Sequence, residues 1–93
     1  MEAQELIQNL KSRYKTFSYF KLALQRCYNK TEFESICEHL FDEIFANEKM
    51  YDDFRREKEG VVPIPVQKEY SDLCNYSTNV LNFFNLFKQL KGF

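Results

Sequence analysis

An all-α bundle is the fold class this sequence predicts, and three observations carry it. Glycine and proline number only two each in 93 residues, so the many tight turns of an all-β domain have nothing to make them. Three stretches repeat apolar residues at alternating steps of three and four, the spacing of one helix face. The chain is 44% hydrophobic and 17% aromatic, enough for a core and too much for a disordered chain. Ninety-three residues hold one core, so residues 1–93 read as a single domain. The expectation is a small antiparallel bundle of three or four helices with an extended, proline-containing linker.

The first helix is predicted over roughly residues 2–28. Ala3, Ile7, Leu10, Tyr14, Phe17, Leu24 and Tyr28 form its stripe, Leu6, Phe20 and Cys27 widen it, and Lys21 is its one gap. Lys11, Lys15, Arg26 and Lys30 project from the other side. "TFSYF" is the weak spot, because β-branched and aromatic residues lower helix propensity. A break near Thr16 would divide the segment in two and give a fourth helix.

Thr31 followed by Glu34 fits a capping box and starts the next helix. Its stripe is Phe33, Ile36, Cys37, Leu40, Phe41, Ile44 and Phe45. Glu48 falls on that stripe, which predicts a kink or cap at Asn47. Met50, Tyr51 and Phe54 resume the apolar face, and Gly60 is the expected left-handed cap. In "VVPIPV", Val61 to Val66, the two prolines lack amide hydrogens and push their predecessors out of the helical region, so the stretch is predicted extended. The last helix runs over roughly Gln67 to Lys91. Leu73, Tyr76, Val80, Phe83, Phe87 and Leu90 form its seam, and Leu81, Phe84 and Leu86 lie outside it. So wide an apolar face belongs to a central helix or to one with a partner.

Charge is distributed unevenly. Residues 1–30 carry six Lys/Arg and two acids, residues 31–59 ten acids and four Lys/Arg, and residues 60–93 three Lys and two acids. The net charge of −1 therefore hides segments of +4, −6 and +1. From Glu32 to Asp53 there are eight carboxylates and one lysine. Glu38 and Asp42, four apart, repel each other on a helix. Such a face is either solvated or paired with the basic first helix, or it is a surface for a basic protein partner. Glu32, Glu38, Asp42, Glu43, Asp52 and Asp53 are its candidate partner-binding residues, with Tyr51 as an aromatic anchor among the acids. Four cations on one helix and a pI near 5.8 argue against direct nucleic-acid binding.

Chemistry is sparse. His39 is the only histidine, and on a helix Cys37 points to the core while His39 points to the flank. The pair neither converges on a metal nor forms a nucleophile–base couple. Paired carboxylates need a concave pocket to separate their pKa values, which a convex helix face does not provide. No metal, no cofactor and no enzymatic activity is expected. Cys27, Cys37 and Cys74 are an odd, widely spaced set and read as reduced core thiols. "MEAQELIQNLKSR" is amphipathic without a signal-peptide apolar run, and no run is long enough to span a bilayer. The expectation is a cytoplasmic protein with no membrane association.

A helical domain of this size, with the acidic-amphipathic "ESICEHLFDEIF" and the Tyr-Asp-Asp at 51–53, resembles bacterial toxin-immunity proteins of the colicin and contact-dependent-inhibition type. The resemblance implies an inhibitor that neutralises a basic, nuclease-type toxin by covering its active-site cleft with an acidic helix. Two other readings remain open. One is a phage-encoded inhibitor that mimics nucleic acid. The other is a regulatory helical module that forms a homodimer through its apolar C-terminal helix.

Overall fold

The computed structural model describes all 93 residues, Met1–Phe93. Three helices account for nearly all of them: α1 (Ala3–Gln25), α2 (Lys30–Glu57) and α3 (Ile64–Lys91). They run up, down and up. Arg13 meets Glu43 across α1 and α2, Phe33 and Tyr51 of α2 meet Phe87 and Tyr70 of α3, and Tyr14 of α1 meets Tyr76 of α3. The rod measures 46 × 17 × 17 Å, the length expected of 28-residue helices at about 1.5 Å per residue.

The buried core repeats every seven residues. Leu10, Phe17 and Leu24 supply it from α1, Phe33, Leu40, Asn47 and Phe54 from α2, and Val66, Leu73 and Val80 from α3. A seven-residue repeat keeps one seam facing the neighbouring helices as they supercoil. The period also explains why no kink forms at Asn47. α2 is continuous from Lys30 to Glu57, Asn47 takes the core position, and Glu48 turns to solvent. Phe41 and Phe45, expected in the core, are likewise turned out.

Four other expectations are corrected. α1 does not break near Thr16: Phe17 is fully buried there, and its packing outweighs the local propensity. No fourth helix arises. Tyr28, expected on the α1 stripe, lies beyond the end of the helix and is exposed. The α2 cap is Asn29 in place of Thr31: its side chain accepts from the Glu32 amide at 2.8 Å, and Glu32 reaches back to the Tyr28 amide at 3.1 Å. Asn is the stronger cap and has Glu at the required spacing.

The proline stretch is the fourth. Only Val61 to Pro63 lie outside helices, and α3 already begins at Ile64 with Pro65 in its first turn. The amide that proline lacks is unpaired in a first turn anyway. α2 ends one residue earlier than its glycine suggests. Glu59 itself adopts φ 56°, followed by Gly60 at φ 83°. The Gly60 amide donates to the Arg55 carbonyl at 2.8 Å and the Glu59 amide to Arg56 at 3.1 Å, closing a Schellman motif.

The wide face of α3 serves two neighbours. Tyr76 and Phe83 face α1, where the Lys21 ammonium sits 5.3 and 5.9 Å from their ring centres. That cation–π contact accounts for the lysine in the apolar stripe of α1. Phe84 and Phe87 face α2 through Phe33, at 6.0 and 6.2 Å between ring centres.

Candidate functional site: the outer face of the second helix

The seven residues expected to bind a partner all lie on α2, but the fold uses them differently. Glu38, Asp42 and Asp53 are exposed, and none joins any of the four ion pairs of the molecule. Glu32 is exposed as well, but its carboxylate holds the N-terminal turn. Glu43 is half-buried and accepts from Arg13 of α1 at 2.8 Å. Asp52 lies 3.4 Å from Arg55 on its own helix. Tyr51 is half-buried, with its ring stacked on Tyr70 of α3 at 4.0 Å.

Only one side-chain ion pair crosses between helices, Arg13 with Glu43; the Met1 ammonium meets Glu57, and Glu34 and Asp52 pair within α2. Lys11 and Lys15 of α1 and Arg26 at its C-cap are exposed and pair with no carboxylate. The acidic face is not held against the basic face of α1.

Two aromatic side chains stand among the free acids. Phe41 is 44% and Phe45 64% exposed, one helical turn apart. Glu38 and Asp42 flank Phe41, and Glu48, Lys49 and Asp53 surround Phe45. A shallow depression of mixed charge, bounded by Phe45, Glu48, Lys49, Asp52, Asp53 and Arg56, opens on this face. On its other side, Phe41 borders a groove of about 400 Å³ between α2 and α3, with Leu81 and Phe84 in its wall, Glu34 and Glu38 on one rim and Lys88 on the other. Exposed apolar rings that form a contiguous patch gain by burial against a partner.

Reading α2 at 3.6 residues per turn merged Phe41 and Phe45 with the core stripe. The signal that separates them is the spacing of Phe33, Leu40, Asn47 and Phe54, with its asparagine at a core position.

No three His, Cys, Asp or Glu side chains converge as a metal site requires. His39 is exposed, while Cys37 lines the α2–α3 groove. Burial pushes the Cys37 thiol above its ordinary value, with nearby Lys88 opposing the shift. A thiol held protonated is a poor nucleophile. All three cysteines are free, and the Cys27 thiol donates to the Asn29 carbonyl at 3.2 Å. No helix is long and apolar enough to cross a membrane.

No family model, curated protein or solved structure matches the chain.

Proposed function

We propose that the protein is a non-enzymatic inhibitor that captures a basic protein, of the nuclease-toxin class, on the outer face of α2. The single observation that carries the reading is the pairing of two exposed phenylalanines, Phe41 and Phe45, with four carboxylates, Glu38, Asp42, Glu48 and Asp53, that form no ion pair. Free carboxylates steer a cationic surface into register and speed association. The phenyl rings then supply apolar contact in the centre, where interface energy concentrates. A nuclease must be basic around its cleft to hold a polyanion, so an acidic helix seated there excludes the substrate. The structural contacts of Glu43 and Tyr51 make them supports of this face; Glu38, Asp42 and Asp53 are its binding acids.

The test is capture from the native host followed by an activity assay. Tagged protein should retain a basic nuclease whose cleavage of RNA or DNA stops when one equivalent of inhibitor is added. Recovery of an acidic partner, or of a nuclease that stays active in the complex, contradicts the proposal.

A second reading has its own observation. Leu86 and Leu90 of α3 are 53% and 76% exposed, which favours a module that dimerises through its C-terminal helix. Apolar association barely responds to salt, whereas capture by the acidic face weakens as salt screens it.

A further inference from the structure

The charges that α1 and α2 leave unpaired are laid out in matching order. On α1, Lys11, Lys15, Tyr19, Leu22 and, at the C-cap, Arg26 are all exposed. Their spacings of four, four, three and four confine them to an arc of about 80° on the outward side of the helix. No Asp or Glu occurs between Glu5 and Glu32, so no acid interrupts this stripe. Its two apolar members are well out of the fold, Tyr19 at 71% and Leu22 at 51% exposed. On α2, Glu38, Phe41, Asp42, Phe45, Glu48 and Asp53 form the outward stripe, with Lys49 as the one cation between Glu38 and Asp53.

The two stripes have the same length. Lys11 to Arg26 and Glu38 to Asp53 each cover fifteen residue steps, about 22 Å of helix. Laid antiparallel, Lys11 meets Asp53 and Arg26 meets Glu38. Between these ends Tyr19 comes level with Phe45, and Leu22 with Phe41 and Asp42. Lys15 comes level with Glu48, with Lys49 as its one like-charged neighbour. Cations thus fall on carboxylates toward the ends and apolar side chains on apolar side chains in the middle, the order of an interface with an apolar centre and a polar rim. One molecule cannot make this contact with itself. Both stripes face away from its core, which Leu10, Phe17 and Leu24 enter from α1 and Leu40, Asn47 and Phe54 from α2.

We propose that a second copy of this chain covers the outer face of α2 with the outer face of its own α1. Opposite charge steers the two faces together and fixes their register, and the four apolar side chains close the centre. Two different surfaces meet, so the contact is heterologous. Each added copy leaves a free α1 face at one end and a free α2 face at the other, and the assembly grows head to tail. One helix face from each copy makes a small interface, under roughly 1,200 Å², so the association is weak and salt-sensitive. The proposal does not rest on the inhibitor reading, because it needs no other protein.

The test is sedimentation velocity on the purified full-length protein, in a concentration series reaching about 1 mM, at roughly 20 mM and roughly 500 mM salt. At low salt the mean mass should rise with concentration past that of a dimer. At high salt it should fall back toward the 11.3 kDa of one chain. Two neutralised variants identify the faces: Lys11→Gln, Lys15→Gln, Arg26→Gln on α1, and Glu38→Gln, Glu48→Gln, Asp53→Asn on α2. Each alone should stay monomeric at low salt. Mixed, they supply one intact face each and should stop at a dimer, because neither end of the product can be extended. The proposal is overturned by a wild-type protein that is monomeric at low salt, by a dimer indifferent to salt, which assigns association to Leu86 and Leu90, or by a single-face variant that assembles like wild type. A mixture that does not associate overturns it as well. The salt comparison on the wild-type protein decides the matter even if a variant does not fold.

Discussion

Tyr51 of α2 and Tyr70 of α3 lie face to face, their ring centres 4.0 Å apart and their planes within 2° of parallel. The stack sets the distance between the two helices at one end of the rod and leaves the Tyr51 ring half-exposed. Tyr51→Ala should therefore cost about 2 kcal/mol of stability, less than a fully buried aromatic because the ring is half-exposed. Urea unfolding measures that cost. A stable Tyr51→Ala protein that has lost only partner binding would return the residue to the interface.

Tyr70, together with Tyr14, makes the fold sensitive to alkali. Burial, first, and then neighbouring Cys74 and the carboxylates of Glu48 and Asp52 drive the Tyr70 phenol far above its ordinary value of 10.0. Tyr14 is raised in the same direction by burial and by Glu69 and Asp72. In the unfolded chain both ionise at the ordinary value, so above it the native state holds more protons and stability falls as pH rises. Below pH 10 this contribution is fully present. Phenolate absorbance followed beside helicity should show Tyr14 and Tyr70 ionising only as the helices melt. Ionisation of all six tyrosines near pH 10 in a folded protein contradicts this.

Glu59 holds a left-handed conformation, φ 56°, that side chains other than glycine rarely adopt. It is exposed and contributes only one of the two amide bonds of the Schellman turn, its own N–H to the Arg56 carbonyl. Glu59→Gly should stabilise the protein by about 0.5–1 kcal/mol, the relief of strain being partly offset by a freer unfolded chain. Gly60→Ala, at φ 83° with open space around it, should lose about 1 kcal/mol from backbone strain alone. Thermal melts of the two variants should move in opposite directions.

Leu40 and Phe45 separate folding from recognition on one helix. Leu40 is fully buried and Phe45 is 64% exposed. Leu40→Ala should destabilise by about 2–5 kcal/mol. Phe45→Ala should change stability by no more than about 0.5 kcal/mol but weaken partner binding by more than about 1 kcal/mol. A Phe45→Ala protein that melts early has its phenyl ring in the fold, not in an interface.

The fold class was legible because turn residues are scarce and three apolar stripes are long. Register was not: a 3.6-residue stripe and a seven-residue repeat share Phe33 and Leu40 but differ over Phe41 and Phe45, which the repeat turns outward. Only Asn47 tells which applies, and an asparagine is easily taken for a break. Pro65 misled for a different reason, since a proline ends a helix in its interior but suits its first turn. In the candidate site the acids were legible from their number, whereas Phe41 and Phe45 were hidden among core residues. Which acids are free depended on Arg13, whose partner Glu43 sits thirty residues away in sequence and 2.8 Å away in space.

On the proposed function, the unpaired carboxylates of α2, Glu38, Asp42, Glu48 and Asp53, serve a cationic partner and not the fold. The measurement that tests it most directly compares wild type with the Glu38→Lys, Asp42→Lys double variant, in helicity and in affinity for the nuclease captured from the host, at low and high salt. The account predicts an intact helical spectrum and a stability change below about 1 kcal/mol, since both sites are exposed and unpaired. Binding should weaken by about 2–5 kcal/mol for each charge pair buried in the interface, with slower association and a smaller salt effect. A variant that unfolds, or one that folds and binds as tightly as wild type, contradicts the claim.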